Sequence, residues 1–124
     1  MDWLGYQEMI DSQMRLAEYL EARILETGLF ETATPRRLTI LNFRAKAVRK
    51  NGLSEEATAH LHREIVEEFT RDGQQWISTT RVQGRSVIRM MVISYLSEQR
   101  HVDVLAARLR IATETVLHQH DISA

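Results

Sequence analysis

The chain has no cysteine, so disulfides and thiolate metal sites are excluded. It has one proline, Pro35, which marks a turn or extended entry at Thr34-Pro35, because the residue before proline avoids the helical region. Neither sign of charge is in excess. The net charge of −1 gives no global field toward nucleic acid or an anionic membrane, and neither is expected as a partner. No apolar run approaches the length of a membrane span. The opening Met1-Asp2-Trp3-Leu4-Gly5-Tyr6 lacks the basic and apolar regions of a signal peptide, and the expected compartment is the cytoplasm. Lysine is scarce: Lys46 and Lys50 are the only two, both in one basic stretch. No glycine-rich segment precedes a helix in the manner of a phosphate cradle. Internal repeats and low-complexity segments are missing as well.

What is present suits one domain over residues 1–124. A chain of this length can bury roughly two-thirds of its unfolded surface. A long amphipathic helix is expected over residues 3–27, where Trp3, Tyr6, Ile10, Met14, Ala17, Leu20 and Ile24 recur every three or four positions and Gly28 provides the stop. A strand follows from Arg37 to Arg44. In it Leu38, Ile40 and Asn42 face one way and Thr39, Leu41 and Phe43 the other. Bulky apolar residues on both faces predict a central strand. Ala45 to Gly52 reads as a basic loop closed by Asn51-Gly52. A second helix starts after Ser54, with Glu55 and Glu56 suited to its first turn. Ala57, Leu61, Ile65 and Phe69 stripe it, and Asp72-Gly73 ends it. Strands over residues 75–82 and 86–94 form a hairpin through Gln83-Gly84-Arg85. A last helix spans residues 101–117, striped by Val102, Leu105, Ala106, Leu109, Ala112 and Val116, and His118 to Ala124 is expected to fray. The order α-β-α-β-β-α predicts an α/β (α+β) fold: a small, mostly antiparallel sheet of about three strands with helices packed on one face.

Several ordered segments carry a resemblance. Leu38-Thr39-Ile40-Leu41-Asn42-Phe43-Arg44 is similar to a strand of the form Val/Leu-x-x-Val-x-Phe-Arg. Trp76-Ile77-Ser78-Thr79-Thr80-Arg81-Val82-Gln83-Gly84 is similar to x-x-Ile/Leu-Ser-x-Thr-x-Val-x-Gly. Ser86-Val87-Ile88-Arg89 then matches a strand that delivers an arginine. Ser94-Tyr95-Leu96-Ser97 and Val102-Asp103-Val104-Leu105 follow a pattern Asn-x-x-Thr-x-x-Asp-Val/Ile-x-x-Leu, with serine in place of both Asn and Thr. Taken in order, these resemble the C-terminal small domain of the pyridoxal-phosphate (PLP)-dependent group II decarboxylases, of PLP fold type I. The resemblance implies PLP as cofactor of a parent enzyme. It also implies two partners, a PLP-binding large domain and a second subunit of a dimer, together with an amino-acid substrate. Lys46 and Lys50 match no Schiff-base lysine of that family. The chain by itself is therefore expected to bind no PLP and to be catalytically inert, as a fragment, a split-gene partner or a truncated remnant.

The resemblance makes Arg89 the candidate substrate-binding residue. A guanidinium on an apolar strand face needs a partner. That partner is either the substrate α-carboxylate, which suits the planar fork, or a structural glutamate. Arg44, Trp76 and Tyr95 are possible supporting residues. Each has a plainer reading, a salt bridge for Arg44 and core packing for Trp76 and Tyr95. Arg81 and Arg85 flank the hairpin turn and read as solvated. His60 and His62 point apart on a helix and cannot chelate one ion, and His118 and His120 would need further ligands, so no metal site is expected. Met90-Met91 reads as core filling. Two other readings stand beside the decarboxylase one. Residues 37–117 spell β-α-β-β-α, one strand short of a ferredoxin-like ligand-sensing module. Alternatively, the first helix binds a partner through its apolar stripe, in a non-catalytic interaction module.

Overall fold

Two positive φ angles close the β-hairpin. Gln83 (φ 53°) and Gly84 (φ 78°) form a two-residue turn, of the kind whose twist suits a β-hairpin. Arg85, expected in the loop, is instead the first residue of the returning strand and pairs with Val82. The computed structural model describes residues 3–35, 40–71, 77–91 and 99–123. Its elements are α1 (Trp3–Glu26), β1 (Phe30–Thr32), β2 (Ile40–Ala45), α2 (Lys46–Lys50), α3 (Glu55–Phe69), β3 (Ile77–Val82), β4 (Arg85–Met91) and α4 (Gln99–Gln119).

The sheet has the order β1-β2-β4-β3, and every neighbouring pair is antiparallel. Among the described residues it has four strands, where about three were expected. The additional strand, β1, is only three residues long, too short to show alternation between Gly28 and Pro35. β2 is central, as its two bulky faces predict. Residues 36–39, where that strand was expected to begin, lie outside the described residues.

One face of the sheet carries Phe30, Leu41, Phe43, Ile77, Ile88 and Met90. All six are buried in a single apolar cluster with Leu20 and Ile24 of α1, Leu61 and Ile65 of α3, and Leu109 of α4. The helices thus cover this face, as expected. Among the described side chains, α1 contributes Leu16, Ala17, Leu20 and Ile24 to the core. α4 buries Val102, Leu105, Ala106, Leu109, Ala112 and Val116, the stripe read from its sequence. The Tyr19 hydroxyl donates to Asp103 Oδ1 at 2.7 Å and ties α1 to α4.

Three expectations need correction. Residues 46–50 are a short helix, not a loop. Five residues are too few to show a period, and burial of Ala47 and Val48 holds the turn in place. The Asn51-Gly52 signal is met by a closing turn, with Gly52 at φ 61° and the Leu53 N–H donating to Val48 O at 3.0 Å. In α3 the inward stripe is Thr58, Leu61, His62, Ile65 and Phe69, and Ala57 is exposed. The helix is capped by Ser54 Oγ, which accepts from the Ala57 N–H at 3.1 Å. The tail, expected to fray, is tied down through residue 123. Asp121 takes φ 53°, the Ile122 N–H donates to Leu117 O at 2.9 Å, and Asn51 Nδ2 donates to Ser123 O at 3.0 Å. It adds no strand, so the sheet edge a ferredoxin-like module requires is missing among the described residues. No helix among them is long and apolar enough to cross a membrane.

Candidate functional site

Ile40, Asn42 and Arg44 of β2 share the second sheet face with Val87, Arg89 and Met91 of β4, because antiparallel partners point the same way. Asn42 and Arg89 stand directly opposite in the register. Arg89 Nε donates to Asn42 Oδ1 at 3.2 Å. Asn42 Nδ2 in turn donates to Thr34 Oγ1 at 3.1 Å. The chain leaving β1 is held beside this pair, since the Ala33 N–H donates to Asn42 O at 2.8 Å. Thr34, Pro35, Ile40, Asn42, Val82 and Arg89 line an open cavity of about 440 Å³.

Arg89 is half-buried. Its Nε bond to Asn42 is its one polar contact to a described residue, and no carboxylate among the described residues lines the cavity. The cavity that Arg89 lines has polar (Thr34, Asn42) and apolar (Pro35, Ile40, Val82) walls. The structural glutamate weighed as the partner of Arg89 is not found among the described residues.

Arg44 sits elsewhere. It is buried, and its guanidinium donates to Glu55 Oε1 at 2.9 Å and to Ser86 O at 2.9 Å. Glu55 Oε2 also accepts the Ser86 N–H at 3.0 Å. The hydrogen bond from Arg44, then that from Ser86, holds the Glu55 carboxyl below its usual range. Arg44 thus clips β2 to β4 and to the start of α3, and it does not line the cavity of Arg89. Trp76 and Tyr95 lie outside the described residues. Arg81 and Arg85 are exposed at the hairpin.

The residue the sequence reading missed is His62. It is fully buried; its Nε2 accepts the Ala45 N–H at 3.1 Å, and its Nδ1 lies 3.0 Å from Ser86 Oγ. An acceptor at Nε2 places the proton on Nδ1, so the neutral ring donates to Ser86. Burial, and then the charge of Arg44, pushes its pKa down to about 4. Reading the α3 stripe from Thr58 rather than Ala57 would have turned His62 inward. His60 is on the exposed side, 3.4 Å from Glu64 Oε1, and the other Glu64 oxygen meets His120. No group of three or more His, Asp or Glu among the described residues could hold a metal ion.

Lys46 and Lys50 are exposed on α2, and neither lines the cavity of Arg89. No lysine is therefore placed to hold the cofactor beside the candidate clamp.

An α+β layer of this topology, with Arg89 on the inner strand β4, agrees with the resemblance to a small domain of PLP fold type I. The comparisons narrow it. The chain is 32% identical over 97 residues to tryptophan decarboxylase 1 of Oryza sativa subsp. japonica, covering 77% of this chain and 19% of that protein. Its fold matches the crystal structure of Oryza sativa TDC with PLP at a TM-score of 0.78 and 29% identity, over 91% of this chain and 24% of that one. The crystal structure of mouse CSAD shares the fold at a TM-score of 0.74 and 20% identity, over 89% of this chain and 24% of that one. No family model matches. The chain is similar to the PLP-dependent group II decarboxylases, and the match is consistent with their C-terminal small domain. It spans about a fifth of the length of the curated relatives it matches.

Proposed function

We propose that this chain serves as the substrate-carboxylate-binding and domain-packing part of a PLP-dependent amino-acid decarboxylase. A PLP-carrying large domain and a second subunit complete the site. The observation that carries the reading is Arg89, half-buried on a cavity wall and anchored through Nε, with no acidic partner among the described residues. In the assembled enzyme PLP supplies the electron sink for loss of the carboxyl group. This chain's part is to bind and orient the amino acid: the Arg89 fork takes the α-carboxylate, while Ile40, Val82 and Pro35 provide an apolar wall. The Arg44–Glu55–Ser86–His62 cluster keeps β2, β4 and α3 in fixed register beneath that face. The chain alone is catalytically inert.

A chimaera tests this. The matched segment of the rice tryptophan decarboxylase is replaced by this chain, and carbon dioxide release from L-tryptophan is measured. Turnover above that of the enzyme lacking the segment is expected. A chimaera that folds and takes up PLP but shows no turnover contradicts the reading.

A further inference from the structure

We propose that Asn42 is a positioning residue for Arg89, with Thr34 as a second anchor on its amide. On this view the carboxylate fork is aimed by this chain alone, before any partner domain docks. The inference rests on the reading of Arg89 as a carboxylate receptor.

An arginine side chain has four rotatable bonds and loses much freedom when it is fixed for binding. Anchoring Nε removes most of that freedom and leaves both terminal nitrogens available, the arrangement a two-point carboxylate contact needs. Asn42 is suited to this, because it stands opposite Arg89 in the β2–β4 register and its Oδ1 reaches Nε at 3.2 Å. An amide is ambiguous, however: turned over, it would present its NH2 to a cation and repel it. Arg89 itself resolves the ambiguity, because its Nε–H can only donate and so selects Oδ1. Thr34 Oγ1 then accepts from Asn42 Nδ2 at 3.1 Å and holds the amide from its other end. The main chain holds Thr34 in reach, through the Ala33 N–H to Asn42 O bond of 2.8 Å. An amide also has an advantage over a carboxylate at position 42, since aspartate would orient the guanidinium but neutralise it and compete with the ligand.

The test uses the 124-residue chain and side-chain NMR of the arginine Nε–H groups, with acetate as the carboxylate probe. Arg89→Lys identifies the Arg89 signal by its loss. In the wild-type chain this signal is expected to be ordered and to move on acetate addition. Asn42→Leu, similar in size, should make it mobile and weaken acetate binding about three- to ten-fold, the factor one net hydrogen bond commands. Thr34→Val, which keeps the shape at a half-exposed position, should do the same to a smaller degree, and it serves if Asn42→Leu does not fold. Asn42→Asp should keep the signal ordered yet still weaken acetate binding, which a purely structural role would not produce. An Arg89 signal as ordered, and acetate affinity as high, in Asn42→Leu and Thr34→Val as in wild type overturns the inference. If acetate leaves the wild-type Arg89 signal unmoved while Asn42 still orders it, the carboxylate reading fails and the positioning stands.

Discussion

His62 Nε2 accepts the backbone N–H of Ala45 at 3.1 Å, so a helix side chain completes the hydrogen bonding at the end of a central strand. The bond requires the neutral ring. Arg44, Glu55 and Ser86 are the charged and polar groups around it, and the Arg44 charge opposes protonation.

The first prediction follows from that pair. In the unfolded chain the imidazole takes up a proton near pH 6.5, and in the folded chain only near pH 4. Between these values the unfolded state binds more protons, so stability is full above the upper value and is lost as pH falls toward the lower one. The loss amounts to roughly 3 kcal/mol. Glu55, with its carboxyl held low, adds to the trend further down the pH scale. Urea unfolding at a series of pH values measures the slope. His62→Gln should flatten it between pH 4 and pH 6.5; an unchanged slope would remove His62 as its source.

A second prediction separates the two ends of the clip. Arg44 is buried, while the Glu55 side chain is 41% exposed. Glu55→Ala strands a buried cation and should cost roughly 2–4 kcal/mol. Arg44→Met removes the charge, fills most of the space and should cost about 1–2 kcal/mol, much of it from the unpaired Ser86 carbonyl. Denaturant midpoints in the reverse order would show that the ion pair does not organise this corner.

A third prediction concerns α3. Ser54 caps its N-terminus through Ala57 N–H, so Ser54→Ala should lower stability by about 1 kcal/mol and Ser54→Gly by less. Thermal unfolding of the two variants checks the order.

The fourth prediction is chemical. PLP added to the chain and reduced with borohydride should give only sparse labelling, shared by Lys46 and Lys50, because both amines are exposed and neither adjoins the cavity of Arg89. A stoichiometric adduct on one of them would contradict inertness of the chain alone.

Much of the fold was legible because long stripes dominate it. The α1 residues Ala17, Leu20 and Ile24 and the α4 residues Leu105, Leu109, Ala112 and Val116 are inward as their spacing requires. Gln83-Gly84 carried the hairpin. Short elements escaped: β1 and α2 are held by burial of Phe30, Ala47 and Val48 within the tertiary structure, which no local window records. The site was legible only in part. Asn42 could be placed on one face of β2, yet its position opposite Arg89 depends on the β2–β4 register, set by packing across a sequence separation of 47. His62 was hidden by taking the α3 stripe one residue early. Nothing local distinguished Arg44, which is satisfied by Glu55, from Arg89, which is not.

The central claim is that Arg89 binds the carboxylate the reaction removes. Its most direct test is binding of L-tryptophan and of tryptamine, which lacks that group, to the assembled enzyme carrying Arg89→Ala. A two-point arginine–carboxylate contact contributes roughly 1.5–3 kcal/mol, so amino-acid binding should weaken about ten- to hundred-fold. Amine binding should stay nearly unchanged, and Arg89→Lys should rescue only in part. Equal weakening of both ligands, or a lowered melting temperature with no change in binding, would make Arg89 a structural residue and contradict the account.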